Sequence, residues 1–311
     1  YRRQRQMCIR DRSENGIMRQ SIFKGSAAAL VTPMKPGGGL DFTALRRLTD
    51  RVLAGKTDAV VVNGTTGESA TLSDREKLAV IEAVIETVDG RVPVIAGTGS
   101  NCTRHAVELS KEAQRLGADA LLQVTPYYNK ATQEGLVRHF TAVGDSVDIP
   151  ILLYNVPSRT GVSIQPETYQ ILSGHPNIRG TKEAGGDLSA LAKTAALCGD
   201  GFDIYSGSDD LTVPVMALGG RGVISVLANL MPWEMHEMCR LFLEGRIEES
   251  RNLQLKLMEV MEAMFWEVNP IPVKAALSIL GICDEFCRLP LTPMETEEKE
   301  RLAEVLKSVC N

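Results

Sequence analysis

No run of about 18 apolar residues occurs anywhere in the chain, so the sequence offers no helix able to cross a membrane. A basic stretch interleaved with aromatics is also missing. Aromatics are 5% of the residues and the formal net charge is −5, which argues against nucleic acid as a partner. Cysteine occurs seven times, but never as Cys-x-x-Cys and never beside histidines at ligand spacing. The scattered Cys8, Cys102, Cys198, Cys239, Cys283, Cys287 and Cys310 read best as reduced thiols of a cytoplasmic protein. Cys283 and Cys287 sit four apart on an expected helix, yet no second pair completes a metal site. Histidine is scarce as well. His105, His139, His175 and His236 fall on helical stretches or in a loop, away from strand ends, so no histidine-based triad can be assembled.

What is present is a long, apolar chain of 311 residues, 44% hydrophobic, enough for a large core that a single α/β barrel can absorb. Residues 1–17 are arginine-rich with no apolar or periodic pattern. We expect residues 1–18 to be an appendage, from upstream read-through or a cloning or assembly artefact, with Met18 as the start. From Ser21 onward, apolar β-rich runs alternate with amphipathic helical stretches. Eight such runs are predicted as strands: Ala27 to Thr32, Ala59 to Asn63, Val92 to Gly97, Ala120 to Thr125, Ile149 to Asn155, Ile178 to Glu183, Phe202 to Ser206 and Gly222 to Val226. Eight strands with helical crossovers predict a closed (β/α)8 TIM barrel over residues 19–244. The pattern then turns wholly helical, predicting a C-terminal helical extension over residues 245–311.

In such a barrel the chemistry belongs at the C-terminal ends of the strands. Lys182 stands at the end of the sixth run, beside Glu183, and Gly185-Gly186 breaks the chain soon afterwards. A buried ammonium loses hydration, so part of it becomes neutral and nucleophilic, as imine formation with a carbonyl requires. Strand two ends in Gly64-Thr65-Thr66-Gly67-Glu68-Ser69, whose hydroxyls and amides could cradle a carboxylate. The same stretch also reads as a helix start, with Ser73 and Glu76 forming a capping box. Strand four ends in Tyr127-Tyr128-Asn129, and strand five in Tyr154-Asn155-Val156-Pro157-Ser158-Arg159. A lone tyrosine usually packs, and Arg159 reads equally as a carboxylate fork or a surface ion pair. Asp209-Asp210 reads as helix capping, and Met258, Met261 and Met264 as core packing.

Together, Ala59-Val60-Val61-Val62-Asn63-Gly64-Thr65-Thr66-Gly67-Glu68, Tyr154-Asn155-Val156-Pro157 and Lys182-Glu183-Ala184 resemble the dihydrodipicolinate synthase and N-acetylneuraminate lyase superfamily of class I aldolases. The resemblance runs from about Ser21 to the C-terminus; Ala59 stands where the family usually has glycine. Tyr-Tyr-Asn and Ser-Arg-Thr-Gly are similar to its dihydrodipicolinate synthase branch. The resemblance implies that Lys182 forms a Schiff base with pyruvate and that the enamine attacks L-aspartate 4-semialdehyde. The product would be 4-hydroxy-tetrahydrodipicolinate, on the way to diaminopimelate and lysine, with no organic cofactor or metal. It further implies Tyr154 as general acid/base, Thr65 linking Tyr154 to Tyr128 in a hydroxyl relay, and Tyr128 reaching into a neighbouring subunit's site. Thr66 would hold pyruvate's carboxylate and Arg159 the semialdehyde's, while Gly207 and Ile224 line the pocket. A homotetramer, as a dimer of dimers, is implied. Two alternatives remain open: a pyruvate aldolase acting on a sugar acid, against which Arg159 argues, and an inactive barrel serving as a binding module, against which Lys182, Tyr154 and Thr65 argue. In lysine-sensitive members an effector site matches Ser69, Ala70, Asp74, Lys77, Asn101, His105 and Tyr127. Here His105 replaces the effector-binding glutamate, which predicts weak or absent inhibition by lysine.

Overall fold

The computed structural model describes residues 21–309, so the expected appendage at residues 1–18 lies outside the described residues. Eight strands are present: β1 (Gly25–Ala29), β2 (Ala59–Val62), β3 (Val94–Gly97), β4 (Ala120–Val124), β5 (Ile151–Asn155), β6 (Ile178–Glu183), β7 (Asp203–Ser206) and β8 (Gly222–Ser225). They pair in parallel and in chain order, and β8 closes on β1, so the predicted barrel is the observed one. Between the strands lie α1 (Phe42–Ala54), α2 (Asp74–Val88), α3 (Thr103–Leu116), α4 (Gln133–Gly144), the single turn α5 (Pro157–Thr160), α6 (Pro166–Ser173), α7 (Leu188–Cys198) and α8 (Thr212–Ala217). After β8 come α9 (Pro232–Leu243), α10 (Ile247–Ala263), α11 (Ile271–Ile279) and α12 (Thr296–Val309).

Successive strand residues point to opposite faces, and the sequence uses that period of two to build two cores. Ala27, Ala29, Ala59, Val61, Ile95, Ala120, Leu122, Leu152, Tyr154, Tyr205 and Ile224 fill the barrel interior. Their neighbours Ala28, Val60, Val94, Leu121, Ile151, Leu153, Ile204 and Val223 pack outward against the helices. The interior alanines leave room for the rings. Phe23, just ahead of β1, stacks on Tyr205 at 4.2 Å and accepts its hydroxyl proton at the backbone carbonyl, 2.7 Å away, filling the N-terminal end.

The C-terminal helices join the outer core through Leu257, Met261, Met264, Leu277, Leu302 and Leu306, so Met261 and Met264 pack as expected. Two local expectations change. α9 was not among the stretches read as helical; its Pro232 occupies the first helical turn, where the missing N–H costs nothing. Cys283 and Cys287 are not on a helix. α11 ends at Ile279, and Gly281, at φ 69°, takes the left-handed turn that stops it. The capping box of Ser73 and Glu76 is present at the start of α2.

Candidate active site

Register brings the two central residues together. Tyr154 on β5 is the Cα partner of Lys182 on β6, and both side chains turn into the barrel. Lys182 is 5% exposed, and its Nζ lies 4.6 Å from the centroid of the Tyr154 ring. An ammonium over a ring face is held by the ring quadrupole, which keeps the Lys182 nitrogen beside the Tyr154 phenol. Ile224 is fully buried in the same interior. Gly207, one residue past β7, donates its amide to the Glu183 carbonyl at 2.7 Å. A Cβ at that position would come within 2.7 Å of the Ala184 side chain, so the position admits only glycine.

One residue further along, the same register pairs Asn155 with Glu183 on the outer face. Asn155 Nδ2 donates to both oxygens of Glu183, at 2.9 and 3.1 Å, and the Tyr169 hydroxyl of α6 donates to one of them at 3.0 Å. The two strand ends that carry Tyr154 and Lys182 are thus clipped together behind the site. Burial raises the Glu183 carboxyl above the usual carboxylate range, against its hydrogen bonds from Asn155, Gly185 and Tyr169.

Asp209 departs from its expected role. It caps no helix of its own, but reaches to the end of β8 and accepts the amides of Val226 and Leu227 at 3.1 and 2.9 Å. Burial raises its pKa; bonds from Ser225 and the backbone, with the positive charge of Lys182, pull the other way. A buried carboxylate therefore stands in the field of the amine.

The loop after β2 turns tightly at Gly64 to Gly67, leaving Thr65 half-buried and Thr66 buried. Thr66 Oγ1 accepts from Asn269 Nδ2 at 3.0 Å. Arg159, on α5, is exposed toward the mouth and donates to the Asn269 carbonyl at 3.2 Å. Glu68 is a charged residue at φ 52°, buried against Lys274 of α11, which donates to Glu68 Oε1 and to the Phe286 carbonyl at 2.7 Å. Tyr128 alone stands apart. It is 89% exposed, at φ 72°, and no hydrogen bond among the described residues joins Thr65 to Tyr128 or Tyr154. The four histidines lie on α3, α4 and α9 and just after α6, none at a strand end.

Glu68, Asn269 and Lys274 were not picked out from the sequence. A signal existed for one of them: Lys274 interrupts Ile271–Ile279, otherwise nearly all apolar, and a lysine in a buried helix demands a carboxylate.

A closed parallel barrel with an amine and a phenol paired at its mouth belongs to the class of (β/α)8-barrel enzymes. Within that class, the dihydrodipicolinate synthetase family model matches residues 22–309, and the chain belongs to this family. A curated relative from Caldicellulosiruptor saccharolyticus, named 4-hydroxy-tetrahydrodipicolinate synthase, is 56% identical over 285 residues, covering 92% of this chain and 96% of its own. The crystal structure of dihydrodipicolinate synthase from Thermotoga maritima is similar with a TM-score of 0.91 at 42% identity, covering 93% of this chain and 99% of that one. A solved chain described as a monomeric dihydrodipicolinate synthase variant is equally near, with a TM-score of 0.90 at 42% identity, covering 92% and 96%.

Proposed function

We infer that this lyase condenses pyruvate with L-aspartate 4-semialdehyde to give 4-hydroxy-tetrahydrodipicolinate. The observation that carries the reading is the buried Lys182 amine 4.6 Å from the Tyr154 ring, at paired positions of adjacent strands. The Lys182 amine adds to the ketone of pyruvate and water leaves, forming an iminium that draws electrons from the methyl group. Tyr154 moves the protons at the imine and at the new alcohol. The enamine carbon attacks the aldehyde, and the substrate's own amine closes the ring and displaces Lys182. Thr66 binds the pyruvate carboxylate, Arg159 the semialdehyde carboxylate, and Gly207 and Ile224 shape the pocket. Thr65 relays protons between Tyr154 and Tyr128, the latter supplied by a neighbouring copy. The exposure of Tyr128, and its left-handed backbone, which costs a tyrosine energy, support a role across a subunit boundary within a homotetramer. The free thiols of Cys102, Cys198, Cys239, Cys283 and Cys287 fit a cytoplasmic setting. Borohydride reduction in the presence of pyruvate, read by mass spectrometry, should leave a reduced pyruvyl group on Lys182, and the unreduced enzyme should turn over aspartate semialdehyde. An unmodified Lys182 would overturn the reading.

Arg159→Ala should raise KM for the semialdehyde far more than for pyruvate, through loss of a charge-assisted pair worth about 1.5–3 kcal/mol. Arg159→Lys should restore only part, since an ammonium cannot reproduce the planar fork. Equal changes in the two KM values would make the arginine structural.

Feedback by L-lysine should be weak. At the matching positions the Asp74 carboxylate is already engaged, by His105 Nε2 at 2.9 Å and Lys77 Nζ at 3.4 Å. Partial burial opposes ionisation of Asp74, but the His105 and Lys77 contacts prevail and hold its pKa below the usual range. A cationic effector meets His105 and Lys77 in place of a free carboxylate, a loss of about ten- to a hundredfold in affinity. Half-inhibition at submillimolar L-lysine in a steady-state assay would contradict this.

A further inference from the structure

Asn269 lies on the connection between α10 and α11, 6% exposed, and holds both of the residues read above as carboxylate receptors. Its side chain donates to Thr66 Oγ1 at 3.0 Å and its backbone carbonyl accepts from Arg159 Nη2 at 3.2 Å. These partners are 203 and 110 positions away in the chain, on the loop after β2 and on α5 after β5. A second contact joins the same two segments, because Lys274, five residues after Asn269, is ion-paired with Glu68, two residues after Thr66. The Asn269 position is therefore fixed from both sides.

A threonine hydroxyl has one proton and two lone pairs. When the Asn269 amide donates into one lone pair, the Thr66 proton is left over, and no acceptor among the described residues takes it. An acceptor at position 269 would instead consume that proton. We propose that Asn269 is a positioning residue: its amide keeps the Thr66 proton available to the pyruvate carboxylate, while its carbonyl holds the Arg159 guanidinium over the second substrate. The proposal rests on the reading in which Thr66 binds pyruvate, and it makes one residue of the C-terminal segment answer for both carboxylate subsites.

Asn269→Asp tests it, because a carboxylate accepts the Thr66 proton and sets a negative charge against the incoming anion. KM for pyruvate should rise about ten- to a hundredfold. KM for the semialdehyde should change little, since the backbone carbonyl that holds Arg159 is kept. Asn269→Ala should raise KM for pyruvate less than Asn269→Asp, although it leaves the larger gap. A residue that only filled space would give the reverse order and affect both substrates alike, and that result would overturn the proposal. Borohydride trapping of Lys182 at saturating pyruvate checks that each variant retains its site. If Asn269→Asp fails to fold, the same question is put to Asn269→Ala in a Thr66→Val background, where it should add nothing to the pyruvate KM; additive effects would refute the link. Thr66→Val with unchanged pyruvate KM would defeat the underlying reading. A normal Thr66→Val effect beside an inert Asn269→Asp would defeat the present proposal alone.

Discussion

Lys182→Ala will yield no reducible pyruvate adduct and will bring turnover down to background. The expectation rests on where the chain's amines stand. Lys182 is buried inside the barrel mouth beside Tyr154, with the Asp209 carboxylate in its field. Lys130 and Lys193 are exposed, and Lys193 is bound to Glu167. Lys274 is just as buried, but it is committed to Glu68 and the Phe286 carbonyl. An imine needs an amine that can lose its proton and meet a ketone, and of these four Lys182 is the one buried beside the Tyr154 ring. Mass spectrometry after reduction, with peptide mapping, decides it: an adduct mapped to Lys130 or Lys193 would displace Lys182 from its role.

The largest loss of stability should come from Lys274→Met. Its side chain and that of Glu68 are almost wholly shielded from water, so removing the ammonium leaves a buried carboxylate with only the Arg288 amide, at 3.1 Å, to hold it. Breaking a buried pair in this way costs about 3–5 kcal/mol. Replacing both partners, Glu68→Gln with Lys274→Met, should recover much of that, because no uncompensated charge is left behind. Denaturant midpoints of the three proteins test this. A single variant within about 1 kcal/mol of the parent, or a double variant worse than the single, would mean that the pair is not what seats α11.

The barrel was legible in the sequence because its signals are local. A run such as Ala59 to Asn63 bounded by turn residues reads as a buried strand wherever it sits, and eight of them leave few architectures. The pairing of Lys182 with Tyr154 was legible only in part: the spacing places both at strand ends, while register alone puts them side by side. What escaped is contact between distant positions. Glu68 looks like an ordinary charged residue in its own window, Lys274 stands out in an apolar helix without revealing its partner, and the hydrogen bond from Asn269 to Thr66 spans 203 residues with no periodic trace. Asp209 shows the same limit. Its local context suggests a cap, but the amides it binds lie just past the end of the next strand.

The distance between those partners also sets an order of events in synthesis. The loop bearing Thr66 and Glu68 leaves the ribosome long before Asn269 and Lys274, which follow 203 and 206 residues later. At roughly 5–20 residues per second the delay is on the order of ten to forty seconds. During it the nascent chain can gather all eight strands while Glu68 still waits for its cation, so the mouth is completed last. A polypeptide cut short after α10 would carry the entire barrel, with Lys182 and Tyr154 in place, and yet lack the two side chains that fasten its entrance.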